Sequence, residues 1–476
     1  MTGEPVLRRS LGLADVTFFF IIAASNLQWV AAAAVTGPSS LIIWVLGWAC
    51  MFLPLSIVVV FLSSRHPDEG GLYVWSKRAF GPFAGFISGW TYWTSNLPYF
   101  PALLYFMAGN LLFVHGGRAN PLSGSAPYFI GVSLAGLGLA TLLNVLGLDI
   151  EKWLNNIGAG SRWAVTLALI ALGAFAWHKF GMATPVNAAT VRPGLDVTNL
   201  VFWSTIAFAW TGPESISFMA GEVKQARHTI GYGLALAAPV IAVIYIGGTA
   251  AVLAILPPSQ TNPIYGVMQS VGTAAGRFGW DFITPIAAVL VMVSCLASCG
   301  AWLGAVARLP FVAGLDAYLP KGFGRMHPRW GSPVAALVTQ AGIAACFIFL
   351  GQGGTSVRGA YDVLVSTTVI STLIPFLLLF AAAIPLSSGP VQPEDLRPIG
   401  GRFTILSAAT VGFLTTLIAV ILALIPPANE PDKTLAVVKI IGLTVLMIGS
   451  GAVLYVAGAR HKRKVDAAEA AAEATV

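Results

Sequence analysis

Charge is what this chain has least of. Asp, Glu, Lys and Arg make up 9% of its 476 residues, while 57% are hydrophobic and the mean hydropathy is +0.80. A soluble domain carries about a quarter charged residues, so the composition excludes a water-soluble enzyme and implies a polytopic membrane protein. Cysteine is also scarce. Cys50, Cys295, Cys299 and Cys346 all lie in apolar runs. Cys295 and Cys299 stand one helical turn apart with no His or acid beside them, so they read as packing residues and not as a metal pair. The six histidines (His66, His115, His178, His228, His327, His461) fall outside the apolar runs with no metal-ligand spacing. A membrane-embedded metalloenzyme would need such a cluster. No filter segment recurs as a symmetric channel requires. No cleavage site follows the polar start MTGEPVLRRSLGLADV, so the first apolar run is expected to stay as a span. Neither metal nor cofactor is expected.

Long apolar runs are what the chain does have. Twelve are expected to span the bilayer at about 20 residues each: Ala14–Thr36, Leu41–Ser63, Phe83–Val114, a span within Pro127–Leu148, another within Ala159–Trp177, Leu200–Ala220, Gly231–Leu256, Ile283–Ala307, Pro333–Leu350, Val363–Ile384, Ile405–Ile425 and Leu435–Ala457. With the N-terminus inside, 19 of the 26 Lys and Arg fall in inner segments, Lys152 and Arg162 among them, and 7 in outer ones. That bias predicts both termini in the cytoplasm of a plasma (inner) membrane. It also accounts for the net charge of +7 without nucleic acid. Arg460–Lys464 reads as an anchor near anionic headgroups, and the closing DAAEAAAEATV as a frayed tail. The expected organisation is an N-terminal segment (1–13), a five-helix unit (14–180), a second five-helix unit (198–385), two further spans (402–458) and a tail (459–476).

One stretch organises the rest. Phe202–Glu222 reads FWSTIAFAWTGPESISFMAGE, a membrane-grade helix with Thr211, Gly212 and Pro213 in its middle and Glu214 directly after. Gly and Pro weaken a helix, and a carboxylate at bilayer depth costs about 2.5 kcal/mol or more. Broken backbone is tolerated there only where it is buried in protein or lines a cavity. The first span is interrupted too: Ser25, Asn26 and Gln28 stand inside IIAASNLQWVAAAA. Interrupted helices at matching positions of two halves point to a transporter site, although polar residues bonding a neighbouring helix would also fit. The third span carries Trp90, Tyr92, Trp93, Asn96, Pro98, Tyr99 and Phe100. Some of these lie too deep for an interfacial belt, so a belt and a cavity lining both stay open. Trp302 sits among small residues in SCGAWLGAVA, with room to face a cavity. The loops at Pro67–Pro82 and Arg308–Pro333 read as Gly/Pro turns.

Three separated motifs carry a resemblance: PDEGGLYVWSKRAFGPFAGF after the second span, ESISFMAGEVKQARHTI at the sixth, and RLPFVAGLDAYLP after the eighth. Over about Leu11–Ile384 the chain resembles the amino acid–polyamine–organocation transporter superfamily. The resemblance implies an all-α, leucine-transporter-like fold with a 5+5 inverted repeat and discontinuous helices 1 and 6. It implies a substrate carboxylate at Ala23, Ala24 and Ser25, where relatives carry a Gly-rich turn that this chain lacks. It implies carbonyls of Ile21, Phe208, Ala209 and Thr211, at a break that includes Gly212, holding the substrate amine. Phe208 and Trp302 match gating aromatics of the family's arginine/agmatine antiporter, and Glu214 matches its proton-linked acid. Some proton-coupled relatives place a Lys in helix 5 where sodium-coupled ones bind the ion, which implies Lys152 or, more loosely, Arg162.

The expected function is secondary active transport of an amino acid by alternating access, coupled to protons through Glu214. Asn96, Tyr99 and the residues above would line the site. The alternatives are a polyamine or organic amine transporter, or an amino acid antiporter, of the same fold. The expected partners are a small molecule, protons and the lipid bilayer.

Overall fold

The computed structural model describes residues 11–66, 70–116, 120–315, 318–319, 327, 330, 332–388, 400–426 and 432–473. For 148–152, 197–198, 219–222, 227, 308, 310–315 and 460–473 the backbone alone is described. The architecture is all-helical. Among the described residues, eleven segments are long and apolar enough to cross a membrane, and the broken sixth span completes the expected series. Span 1 consists of α1 (Leu13–Ala24) and α2 (Leu27–Val35); span 2 of α3 (Ser39–Gly47), a π turn and α4 (Leu53–Arg65). After α5 (Leu72–Phe80) come α6 (Pro82–Leu111), α7 (Ala126–Leu146) and α8 (Leu148–Phe180), which are spans 3 to 5. Span 6 is α9 (Val197–Ala209) followed by a 3-10 run, Pro213–Glu222. Span 7 is α10 (Ala226–Ala242), a π turn at Val243–Gly247, and α11 (Gly248–Ile255). Then follow α12 (Gly266–Phe278), α13 (Ile283–Leu315), α14 (Val334–Gln352), α15 (Val357–Leu386), α16 (Gly401–Ala423) and α17 (Lys433–Glu473).

Four expectations change. The turns expected after span 2 include a helix, α5, entered from Gly70-Gly71 and ended by Gly81, whose φ of +92° only glycine adopts freely, with Pro82 starting α6. A second unexpected helix, α12, packs one face (Val267, Met268, Val271, Ala274) against the bundle. Span 5 is not confined to 159–177: its helix begins at Leu148, which takes in Lys152 and moves Arg162 from the inner end to a position about four turns inside. The tail is helical through Glu473, because Ala and Glu are strong helix formers. Of the loop motifs, residues 67–69, 316–317, 320–326, 328–329 and 331 lie outside the described residues.

Small residues bring the helices close, as membrane packing requires. A Cβ on Gly158 of α8 would fall 2.0 Å from Ala297 Cβ of α13, and one on Gly173 would fall 2.6 Å from Ala251 of α11. The α17 helix docks on α6 through Trp90, whose indole donates to the Met447 carbonyl at 2.8 Å and lies over Gly451.

The two breaks have different causes. At Ser25-Asn26 the backbone is extended, and Asn26 caps α2 by accepting the Gln28 N–H at 3.3 Å. At the second, Gly212 takes φ +125° and Pro213 starts the tight winding beyond. There the Ser215 hydroxyl donates to the Gly212 carbonyl and Ser217 to the Glu214 carbonyl, each three residues back, which matches a 3-10 turn. The breaks touch: a Cβ on Gly212 would fall 2.8 Å from Ala24 Cα and Cβ.

Candidate functional site

A cavity opens where the two breaks meet. Span 1 contributes Ala23, Asn26 and Trp29 to its wall; α6 contributes Tyr92, Asn96 and Tyr99; span 6 contributes Phe208, Ala209, Thr211 and Glu214. Tyr245 from the π turn of span 7, Trp302 from α13, and Thr368 and Thr372 from α15 complete it. The aromatic wall is contiguous. Trp29 meets Phe208 edge-on with centroids 5.5 Å apart, and Tyr99 lies 6.4 Å from Phe208 and 6.3 Å from Trp302.

Among the described residues Glu214 is the one carboxylate on this wall, and it is 1% exposed. Its Oε1 accepts the Tyr92 hydroxyl at 2.7 Å and its Oε2 accepts the Gly212 N–H at 2.8 Å. A carboxylate has about four acceptor sites, so it can take further donors from the cavity. It stands at the start of the 3-10 run, where backbone N–H groups favour negative charge.

A positive charge sits at the other break. Arg162 of α8 is 3% exposed. Its Nη1 donates to the Ile22 carbonyl at 2.8 Å and to the Ser25 carbonyl, its Nε to Ser294 Oγ at 3.1 Å, and its Nη2 to Ser298 Oγ. The guanidinium thus caps the C-terminal carbonyls of α1, where a cation is favoured, and ties them to α13. The side chain of Lys152 lies outside the described residues. Arg162, counted with the inner loops on sequence grounds, is the buried cation of span 5.

The remaining site expectations divide. Ala23, Asn96, Tyr99, Phe208, Ala209, Thr211, Glu214 and Trp302 line the cavity. Ile21, Ala24, Ser25 and Gly212 stand behind it, with their polar groups engaged by protein. The Ile21 carbonyl accepts the Ser25 hydroxyl, the Ser25 carbonyl accepts Arg162, the Ala24 carbonyl accepts the Tyr245 hydroxyl at 3.0 Å, and the Gly212 N–H serves Glu214. The Phe208 carbonyl accepts both the N–H and the hydroxyl of Thr211, at 2.9 and 2.7 Å. Among wall residues the sequence did not single out Trp29, Tyr245, Thr368 and Thr372; Asn26 and Tyr92 were noted without a role.

The sequence profile described as amino acid permease matches residues 10–448. The chain belongs to the amino acid permease family. Three relatives are described as transporters. One from Legionella pneumophila, itself described only as an uncharacterized transporter, is 27% identical over 90% of this chain and 92% of its own length. A probable agmatine/putrescine antiporter of Lactococcus lactis is 26% identical over 77% of each chain. An uncharacterized transporter of Mycobacterium tuberculosis is 25% identical over 83% of this chain and 84% of its own. The crystal structure of MhsT in complex with L-phenylalanine superposes with a TM-score of 0.62 at 13% identity, covering 88% of this permease and all of that chain. The fold is therefore leucine-transporter-like, and family and fold are those of membrane transporters.

Proposed function

We propose that this permease is a secondary active transporter for a small primary ammonium compound, an amino acid or a simple amine, bound between the two breaks and coupled to protons. The observation that carries this reading is Glu214: one carboxylate in an otherwise neutral cavity walled by Trp29, Tyr92, Tyr99, Phe208, Tyr245 and Trp302. Aromatic faces attract organic cations, and a desolvated carboxylate beside them supplies the counter-charge. Several N–H groups that could hold a substrate carboxylate are already engaged: those of Asn26, Gln28 and Trp29 in span 1 and of Gly212 in span 6. That favours the ammonium as the recognised group. The agmatine/putrescine antiporter among the relatives is consistent with it. The amino acid reading draws support from the neutral donors elsewhere on the wall, Asn26, Asn96, Thr368 and Thr372.

Glu214 can hold a proton or face an ammonium, not both. Binding of the two is then mutually exclusive, which yields exchange and not co-transport. With Arg162 buried, the Lys and Arg tally becomes 18 inside against 7 outside, which still supports cytoplasmic termini and a plasma membrane location.

The test has two steps. A thermal-shift panel of putrescine, agmatine, arginine, leucine and glutamate identifies the bound compound, since a ligand at 100 times its Kd stabilises by about 2.7 kcal/mol. Counterflow of that compound into proteoliposomes from pH 5.5 to 8 is then compared for wild type and E214Q. E214Q is expected to lose its pH dependence and at least tenfold in rate. Full pH-dependent uptake by E214Q would overturn the coupling, and a panel in which no amine or amino acid stabilises the protein would overturn the substrate class.

A further inference from the structure

Tyr245 is a residue to which neither sequence motif nor family likeness assigns a role. The π turn Val243–Gly247 carries its side chain into the gap between the two breaks. The ring is held between two indoles: it stacks on Trp44 at 4.3 Å and 8°, meets Trp210 edge-on at 5.2 Å, and is 1% exposed. Trp44 is itself fixed by its indole N–H to Thr249 Oγ1 at 3.0 Å, and Trp210 by its indole N–H to the Trp44 carbonyl at 3.2 Å. A ring clamped in this way has little freedom, so its hydroxyl oxygen stands at a fixed point.

That point is shared by both broken helices. The hydroxyl oxygen accepts the Asn26 N–H at 3.1 Å, just past the break in span 1. Two carbonyls compete for its proton: Ala24 of span 1 at 3.0 Å and Ala209 of span 6 at 3.1 Å. A phenol has one O–H donor. It satisfies one carbonyl well and leaves the other short of a partner, and a buried acceptor without a donor is costly. Ala209 lines the cavity and Ala24 does not, so of the two residues Ala209 is the one that borders a cavity ligand.

We infer that Tyr245 is a positioning residue whose single proton toggles between the two helices according to whether the cavity is filled. In the empty site the phenol divides its proton between the Ala24 and Ala209 carbonyls. When a substrate N–H takes the Ala209 carbonyl, the phenol donates to Ala24 alone. With the Asn26 N–H bond unchanged, it then braces both sides of the span 1 break. Occupancy sensed at span 6 is thereby passed to span 1 without any charge moving. This inference rests on the reading above that the substrate bears N–H donors.

The experiment uses two probes on the purified full-length protein. Putrescine has primary ammonium groups; its fully N-methylated bis-quaternary analogue has the same charges and no N–H. Binding of both, and putrescine counterflow, are measured for wild type and Y245F. Y245F is expected to bind putrescine as well as or more tightly than wild type, because the phenol no longer competes for Ala209, and to leave binding of the quaternary probe unchanged. Its counterflow is expected to fall about tenfold. A purely structural tyrosine would instead weaken both probes alike, and that result, or unimpaired counterflow, overturns the toggle. Where the panel finds an amino acid and not putrescine, that amino acid and its N,N,N-trimethyl analogue are the two probes; if wild type binds no compound of the panel, the ammonium reading itself fails and the toggle falls with it. Should Y245F not fold, hydrogen exchange on wild type decides. Putrescine must then protect the 23–28 segment along with the 208–214 segment, and protection confined to 208–214 overturns the inference.

Discussion

Replacing Arg162 with Met separates the stability of the fold from the assembly of the site. The guanidinium serves four oxygens: the carbonyls of Ile22 and Ser25 and the hydroxyls of Ser294 and Ser298. Ser298 also donates to the Ser294 carbonyl at 3.0 Å, so that hydroxyl keeps a bond in the variant. The two span 1 carbonyls lose the bond that Arg162 gives them. An orphaned buried acceptor costs about 1–3 kcal/mol, so about 2–6 kcal/mol falls on the arrangement that holds the first break against α13. The low end corresponds to roughly 30-fold in population. The same substitution removes a buried charge, which itself carries a penalty of several kcal/mol. The two effects oppose each other in global stability and do not in the site. R162M is therefore expected to stay monodisperse, with a Tm within about 5 °C of wild type, and to bind the compound found by thermal shift at least 30-fold more weakly. R162K keeps the charge as a compact ammonium with three donors and is expected to fall between the two. Isothermal titration with parallel melting curves is the assay. Wild-type affinity in R162M would refute the argument, and so would a collapse of Tm by 10 °C or more, which would make Arg162 a support of the fold as a whole.

Two other substitutions probe the same region. Gly212→Ala forces a side chain onto φ +125° and drives its Cβ to 2.8 Å from the Ala24 backbone. Strain of about 1–3 kcal/mol and overpacking of about 1–3 kcal/mol add, so counterflow should fall below a tenth of wild type, and retention of half the rate would show that the breaks need not touch. Gln28 is 0% exposed, and neither amide atom has a hydrogen-bond partner among the described residues. Gln28→Leu removes an unsatisfied buried amide and is expected to raise Tm or leave it unchanged; a loss of more than about 1 kcal/mol in chemical denaturation would mean that the amide has a partner in the folded protein.

How much of this was legible in the sequence depends on whether a residue broke a local rule. The breaks were legible because Gly212, Pro213 and Ser25-Asn26 contradict the helices around them. Glu214 was legible because a carboxylate contradicts its apolar surroundings. Tyr245, Thr368 and Thr372 break no rule: each sits in an ordinary apolar run of sequence, and only the winding and packing of spans 7 and 10 turn them to the cavity. Arg162 carried a readable signal that the loop assignment hid. It is followed at once by the apolar run WAVTLALIALGAFAW and preceded one turn earlier by Gly158, whose missing side chain lets α13 approach. The α5 and α12 helices were missed for another reason. They are short and amphipathic, and a search for long apolar runs passes over them.

The charges at the two breaks complement the half-helices they meet. Arg162 stands at the carbonyl end of α1 and Glu214 at the amide end of the 3-10 run, so each offsets a backbone dipole. They are not equivalent, however. Arg162 is saturated by four oxygens and its guanidinium stays protonated, so it is a fixed part of the frame. Glu214 is held by two neutral donors, Tyr92 and Gly212, and no cation among the described residues hydrogen-bonds to it. Its charge is the one that a proton or an ammonium can cancel. Closing the cavity over a bare Glu214 seals an uncompensated carboxylate away from water, at a cost of several kcal/mol. Closing it over a neutralised Glu214 avoids that cost. Under the proposed function the empty, deprotonated carrier is therefore the slow form, and the proton-loaded and substrate-loaded forms are the ones that cross. The same account requires E214Q, permanently neutral, to reorient without any load. Its exchange should become uncoupled from the pH gradient, while equilibrating flux persists at every pH where the protein is folded.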